Sequence, residues 1–385
     1  MTVEARSGRE TVVTNRGRRG TITLVTSSME GGGAQRAVAK LASGLAGRGH
    51  QVDLVLAHAV GPYLAELPAT VRVVDLDVPR MGRAVVPLAR YLRRTRPAAI
   101  FCALDYVNLV TVVARALARV DATLVVSERN NLSMAAAQAV SRRTRWMPHL
   151  IRFVYPHADA VVAVSHGVAD DLVATCGLAR ETVHVLNNPI VTPEVVRMRA
   201  QPVEHPWLRD KSLPVVLSVG RLVPQKDFGT LLEAFARARR ERPGRLVVLG
   251  EGPLRPELER QAVRLGVADD VSFPGFCANP YPAMAAADAF VLSSRWEGSP
   301  GALIEAMSCG TPVLATDCPS GPRQILEDGR YGHLLPVGDA GAMAAALVDA
   351  LDLKIPAPPH ESWAPYEQAA VVDAYLDLLL GRSAP

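Results

Sequence analysis

Glu297 and Glu305 flank a turn, Gly298-Ser299-Pro300-Gly301, and Ala302 begins the helix that follows it. An ionised carboxylate only accepts hydrogen bonds, so a pair of them suits the hydroxyls of a polyol. The N–H groups at the start of the helix carry partial positive charge and suit an anion. Seven residues separate the two glutamates, few enough for the turn to aim both at one crevice. Amides for phosphate beside carboxylates for hydroxyls describe a sugar nucleotide.

A second constellation lies upstream, in PVVLSVGRLVPQKD. Arg221 and Lys226 leave a strand end together and can clamp a diphosphate, each charge-assisted bond contributing ~1.5–3 kcal/mol. Departure of a nucleotide diphosphate is eased when fixed cations and helix N–H groups meet the growing charge. The chain has no Asp-x-Asp motif in a suitable context, so these cations are expected to replace a divalent metal, and no other cofactor is expected. Hydrolytic glycosidases flank the bond with an acid and a nucleophile. No such nucleophile is evident here.

The elements that must position these groups are legible as alternating strands and helices. Apolar runs at 21–26, 71–74, 98–103, 123–127 and 160–164 alternate with helical patterns, as in a parallel, doubly wound sheet. Ligands bind outside the carboxyl ends of such strands. Gly32 and Gly33 follow the first strand, Asp105 the fourth, Glu128-Arg129-Asn130 the fifth and His166 the sixth. The glycine loop is not the G-x-G-x-x-G fingerprint, which disfavours a nicotinamide oxidoreductase. Asp105 also reads as the N-cap of a helix starting near Tyr106, and Arg129 as a local partner of Glu128. The alternation resumes at Pro214, with Gly250-Glu251-Gly252-Pro253 and Gly275-Phe276 closing the next strands.

The stretch EGSPGALIEAMSCGTPV, with GRLVPQKD, GEGP and GGGAQRAV, resembles the signature motifs of the retaining family 4 glycosyltransferases over about residues 20–380. The resemblance implies the GT-B fold, two Rossmann-like domains with a C-terminal helix crossing back to the first. It implies a nucleotide-sugar donor, a UDP-sugar first, and transfer of a hexosyl or N-acetylhexosaminyl group. Glu305 would then hold the ribose, and Glu297, Arg221, Lys226 and Arg129 would act on the donor sugar and its phosphates. Gly298, Ser299, Pro300, Gly301, Ala302, Gly250, Glu251, Phe276, Gly32 and Gly33 would line the donor site, with Phe276 near the base. Asp105, Glu128, Asn130 and His166 would face the acceptor. The Ser-Glu-Arg-Asn version at 127–130 resembles a subset acting on polyprenyl-diphosphate-linked glycans. Ser299 and Gly301 stand where the family often has bulkier residues, a smaller turn expected either to admit a larger or modified sugar or to loosen the site.

At 385 residues the chain suits two domains of about 180 residues. The expected layout is a disordered basic tail at 1–20, an acceptor domain at 21–190, a linker at 191–213, a donor domain at 214–362 and the crossing helix at 363–385. Residues 1–190 hold 23 Lys and Arg against 14 Asp and Glu, while the remainder holds 19 against 24. That asymmetry, with Arg142, Arg143, Arg145 and Trp146 close together, favours an anionic membrane surface as partner of the first domain. No nucleic-acid partner is expected. The start lacks a secretory h-region and the five cysteines form no Cys-x-x-Cys pair, so a cytoplasmic setting, peripheral at the inner membrane face, is expected. A nucleotide-sugar epimerase or hydrolase on the same fold, or a non-catalytic sugar-nucleotide-binding protein, are the competing readings.

Overall fold

Short, almost wholly apolar strands need cover on both faces, and parallel sheets with helices on each side provide it. The computed structural model describes residues 20–381 apart from 31, 139 and 140, and apart from the side chains of 142 and 143. The tail expected at 1–20 lies outside the described residues except for Gly20.

The first sheet comprises β1 (Ile22–Thr26), β2 (Val52–Leu56), β3 (Val71–Asp75), β4 (Ala99–Ala103), β5 (Thr123–Glu128), β6 (Ala160–Ala163) and β7 (Val183–Val185). All are parallel, in the order β3-β2-β1-β4-β5-β6-β7. β1, β2 and β4 are buried along their whole length, whereas edge strand β3 is largely exposed. The second sheet holds β8 (Val215–Val219), β9 (Arg245–Leu249), β10 (Val271–Gly275), β11 (Ala289–Leu292), β12 (Val313–Thr316) and β13 (His333–Leu335). It too is parallel, in the order β10-β9-β8-β11-β12-β13. Strand order reverses between β1 and β4 and between β8 and β11, which opens a crevice at the carboxyl end of each sheet.

The chain passes between the domains twice, side by side. Ile190 and Val191 both donate to the Tyr366 carbonyl, at 3.1 and 3.0 Å, and Gln368 N–H donates to Val191 O at 2.8 Å. The return helix, Gln368–Leu380, then lies on the first domain. Its Val371, Val372, Tyr375, Leu376 and Leu379 join Ile22, Leu24, Leu54 and Phe101 in one core. The Tyr375 ring meets Phe101 edge-on at 5.4 Å, a geometry worth ~0.5–1.5 kcal/mol beyond burial. A Cβ on Gly44 would lie 2.5 Å from a Val372 methyl, so that glycine lets the two helices approach.

Two segments depart from expectation. The crossing helix begins at Gln368 rather than Trp363, because residues 364–367 form a 3-10 turn and an extended crossing that bridges Val191. The stretch 191–213 is more than a linker. Pro193–Met198 and Pro206–Arg209 are helical, each opened by a proline whose fixed φ suits a first turn. Their Val195 and Leu208 are buried in the core of the second domain.

Candidate active site

The carboxyl ends of the two sheets face each other across the crevice, and the glutamate turn closes the gap. Ser165, just past β6, donates through Oγ to Gly298 O at 2.8 Å. A Cβ on Gly298 would fall 2.1 Å from the carbonyl oxygen of Arg129, beyond the end of β5, so only glycine fits there. Asn131 Nδ2 donates to Ser320 Oγ at 3.1 Å, and His166 N–H donates to Gln324 Oε1 at 2.9 Å.

Glu297 is buried beside β11. Its Oε1 accepts from Lys226 Nζ in a very short contact and from Ser294 Oγ at 2.6 Å. Lys226 is positioned by the 3-10 turn Pro224–Lys226, whose Gln225 also donates to Trp296 O at 2.8 Å. Arg221 is exposed, and its guanidinium makes no hydrogen bond or ion pair with a described residue. The loops after β8 and β9 pack backbone on backbone. A Cβ on Gly250 (φ +138°) would sit 2.0 Å from Gly220 O, which accounts for the glycines there. Glu251 pairs with Arg255 at 2.7 Å, and Phe276 is 60% exposed beyond β10.

Glu305 lies in the helix Gly301–Ser308, buried against the first domain. Tyr281 OH donates to its Oε1 at 3.1 Å, Lys40 Nζ at 3.2 Å, and Arg36 Nη1 stands 3.5 Å away. Lys40 and Arg36 belong to the helix Gly33–Gly47, which follows the glycine loop at Gly32. Burial pushes the Lys40 ammonium below its ordinary value, and the Glu305 charge pulls it back up. Burial and the neighbouring Glu305 hold the Tyr281 hydroxyl well above its ordinary value. Sequence reasoning missed these three partners. The available signal was a lone lysine in the apolar run AVAKLASGLA.

Alternation along β5 separates the three residues at its end. Leu124, Val126 and Glu128 face the core shared with Tyr155, while Val125 faces the core shared with Phe101 and Tyr375. Arg129 therefore turns beneath the return helix, 5.6 Å over the Phe101 ring, and donates to Asn188 Oδ1 in a very short contact. Its Nε and Nη2 have no partner among the described residues, and burial lowers its pKa. Residue parity along the strand thus sends Arg129 to the Phe101 side and Glu128 to the Tyr155 side. Glu128 accepts from Tyr155 OH at 2.9 Å and from Arg129 N–H at 3.0 Å. Burial, reinforced by the Asp105 charge, pushes its carboxyl pKa up to about 8.

Asp105 is the first residue of the helix Asp105–Ala118, and Leu104 holds the N-cap position without a side-chain cap, so Asp105 is not itself the N-cap. With Tyr106, Thr144 and Met147 it lines a cavity of about 350 Å³ on the first-domain side of the crevice. Asn130 Oδ1 accepts from Asn131 N–H at 3.0 Å, and His166 is exposed at the start of its helix. Among the described residues no three His, Cys, Asp or Glu cluster as metal ligands, and all five cysteines are free.

Two family profiles cover most of the chain: Glycosyltransferase Family 4 matches residues 31–193, and Glycosyl transferases group 1 matches 213–352. The chain belongs to the family 4 glycosyltransferases. It is 34% identical over 235 residues to the lipopolysaccharide core biosynthesis glycosyltransferase LpsE of Rhizobium meliloti, covering 59% of this chain and 66% of the relative. It is also 34% identical to the N-acetylgalactosamine-N,N'-diacetylbacillosaminyl-diphospho-undecaprenol 4-alpha-N-acetylgalactosaminyltransferase of Campylobacter jejuni, over 53% of each chain. The alignments with these curated relatives thus span about half to just under two thirds of the relatives' length. Among solved structures, Anabaena HepE in complex with UDP and glucose superposes with a TM-score of 0.74 at 21% identity, covering 94% of this chain and 100% of that one. The lipopolysaccharide glycosyltransferase WaaG gives 0.70 at 19% identity over 94% and 100%. These likenesses show the GT-B fold.

Proposed function

We propose that the protein is a retaining glycosyltransferase that moves a hexosyl or N-acetylhexosaminyl group from a nucleotide sugar, a UDP-sugar first, to a lipid-diphosphate-linked glycan or a related natural-product acceptor. The observation carrying this reading is the pair of buried carboxylates, Glu297 on Lys226 and Glu305 on Lys40 and Tyr281, set at the crevice between two parallel sheets. Lys226 and the exposed Arg221 stand at the carboxyl end of β8 to meet a departing diphosphate without a divalent ion. The relatives' named acceptors, a lipopolysaccharide core and an undecaprenyl-diphosphate glycan, support a membrane-linked acceptor.

A thermal-shift series with UDP-, GDP- and dTDP-sugars, free of Mg²⁺, tests the donor. One nucleotide class should stabilise the wild type, and Glu305→Ala should lose about 1–3 kcal/mol of that binding. No shift with any sugar nucleotide at millimolar concentration would overturn the transferase reading. Turnover should survive EDTA; loss with EDTA and recovery with Mg²⁺ would overturn the metal-free reading.

An anionic membrane surface is proposed as the platform. Among the described residues no helix is long and apolar enough to cross a bilayer. The helix Arg142–Val154, however, exposes Trp146 (63%), Leu150 (46%) and Phe153 (71%), one face at spacings of four and three, beside Arg145. Basic residues around an apolar stripe suit the interface of anionic lipid. Co-sedimentation with phosphatidylglycerol vesicles at low salt should occur and should weaken several-fold in a Trp146→Ser, Phe153→Ser variant.

A further inference from the structure

Lys40 lies where three parts of the molecule meet. Its ammonium donates to Ile190 O of the first interdomain crossing at 2.6 Å and to Glu305 of the donor domain at 3.2 Å, with Tyr281 OH 3.5 Å away. Its main-chain carbonyl accepts from Gln368 Nε2, on the second crossing, at 2.7 Å. The three ammonium donors are thus all directed, which is what a buried lysine needs to remain charged.

The geometry at Glu305 is asymmetric. Tyr281, Lys40 and Arg36 all converge on Oε1, and Oε2 has no partner among the described residues. A carboxylate held by one oxygen cannot rotate, so the other presents its lone pairs in a fixed direction. Vicinal hydroxyls are the donors that such an oxygen suits.

Resting on the assignment of Glu305 to the nucleoside, we propose that Lys40 is a positioning residue for donor recognition. By pinning Glu305 Oε1 to the Ile190 carbonyl, it aims Oε2 at the ribose diol and couples ribose selection to the interdomain crossing. Lys40 touches no substrate atom in this scheme; Arg36 and Tyr281 steady the same oxygen.

The test compares binding of UDP with 2′-deoxy-UDP, and of GDP with 2′-deoxy-GDP, by calorimetry in the wild type, Lys40→Met, Lys40→Arg and Glu305→Gln. A hydrogen bond to a charged group makes the wild-type preference for the ribonucleotide about ten-fold or more. Lys40→Met should reduce that ratio to about two-fold or less, like Glu305→Gln, while Lys40→Arg retains most of it. A lysine that merely supported folding would lower the melting temperature and weaken both nucleotides alike, leaving the ratio intact, and that result overturns the proposal. Should Lys40→Met fail to fold, Tyr281→Phe removes one donor from the same oxygen, keeps the Ile190 contact, and is read by the same ratio. Tight wild-type binding with no ribose preference would remove Glu305 from the ribose and the proposal with it, leaving the transferase reading standing. Failure of the wild type to bind any nucleoside diphosphate would overturn both.

Discussion

At the scale of single residues, the crevice holds its charges by pairing them. Removing one member of a buried pair leaves the other uncompensated, a loss of up to about 3–5 kcal/mol. Lys226→Met should therefore lower stability as well as turnover, and adding Glu297→Gln should restore part of the stability but none of the turnover, as denaturant melts and steady-state rates would show. Glu128 behaves oppositely, because its carboxyl is held neutral. Its folded pKa, about 8, lies above the ordinary 4.5. Between those values the native state binds the extra proton, so stability falls as pH rises through that window and levels off above it. Glu128→Gln lacks this titration. Its melting temperature relative to the wild type should climb from pH 5 to pH 8, and parallel curves would show that the carboxyl is not neutral. The glutamates, Lys226 and Arg221 were legible because motif and strand end coincide in the sequence. Lys40 was not, since its partners lie 150, 241 and 265 residues away and nothing local announces them. Arg129 was legible as a strand-end residue, but the face it takes depends on which side the return helix covers.

At the scale of elements, the glutamate turn behaves as a wedge fitted between strand ends. Gly298 meets the Arg129 carbonyl across the domain boundary, and Gly321 packs on Pro300, where a Cβ would come within 2.6 Å of its ring. Gly298→Ala should leave both sheets folded while holding the domains apart. A misplacement of about 1 Å at a reacting centre costs about 10²-fold, so kcat/KM should fall by that order with little change in the melting temperature. Unchanged kcat/KM would show that this closed contact plays no part in turnover. The strands themselves were readable from their apolar runs. The helices in 191–213 were not, because a proline-rich stretch looks like a linker until Val195 and Leu208 find a core to enter.

At the scale of the molecule, two adjacent crossings leave one natural axis of motion. Ile190, Val191, Tyr366 and Gln368 bond the two strands of chain together, so the domains can rock about that ribbon but not slide freely past each other. Small-angle scattering should show a more extended wild type without nucleotide than with it, and a Glu305→Gln variant that contracts less on adding UDP.

The first domain is finished by the return helix. Phe101, Leu54 and Leu24 are made early, yet Val371, Tyr375 and Leu379, which cover them, leave the ribosome some 270 residues after Phe101. At about 5–20 residues per second that interval is roughly 14–54 s. During it, part of an apolar sheet face lacks its cover while the second domain is still being made, so the core of the first domain closes only after the second has been synthesised.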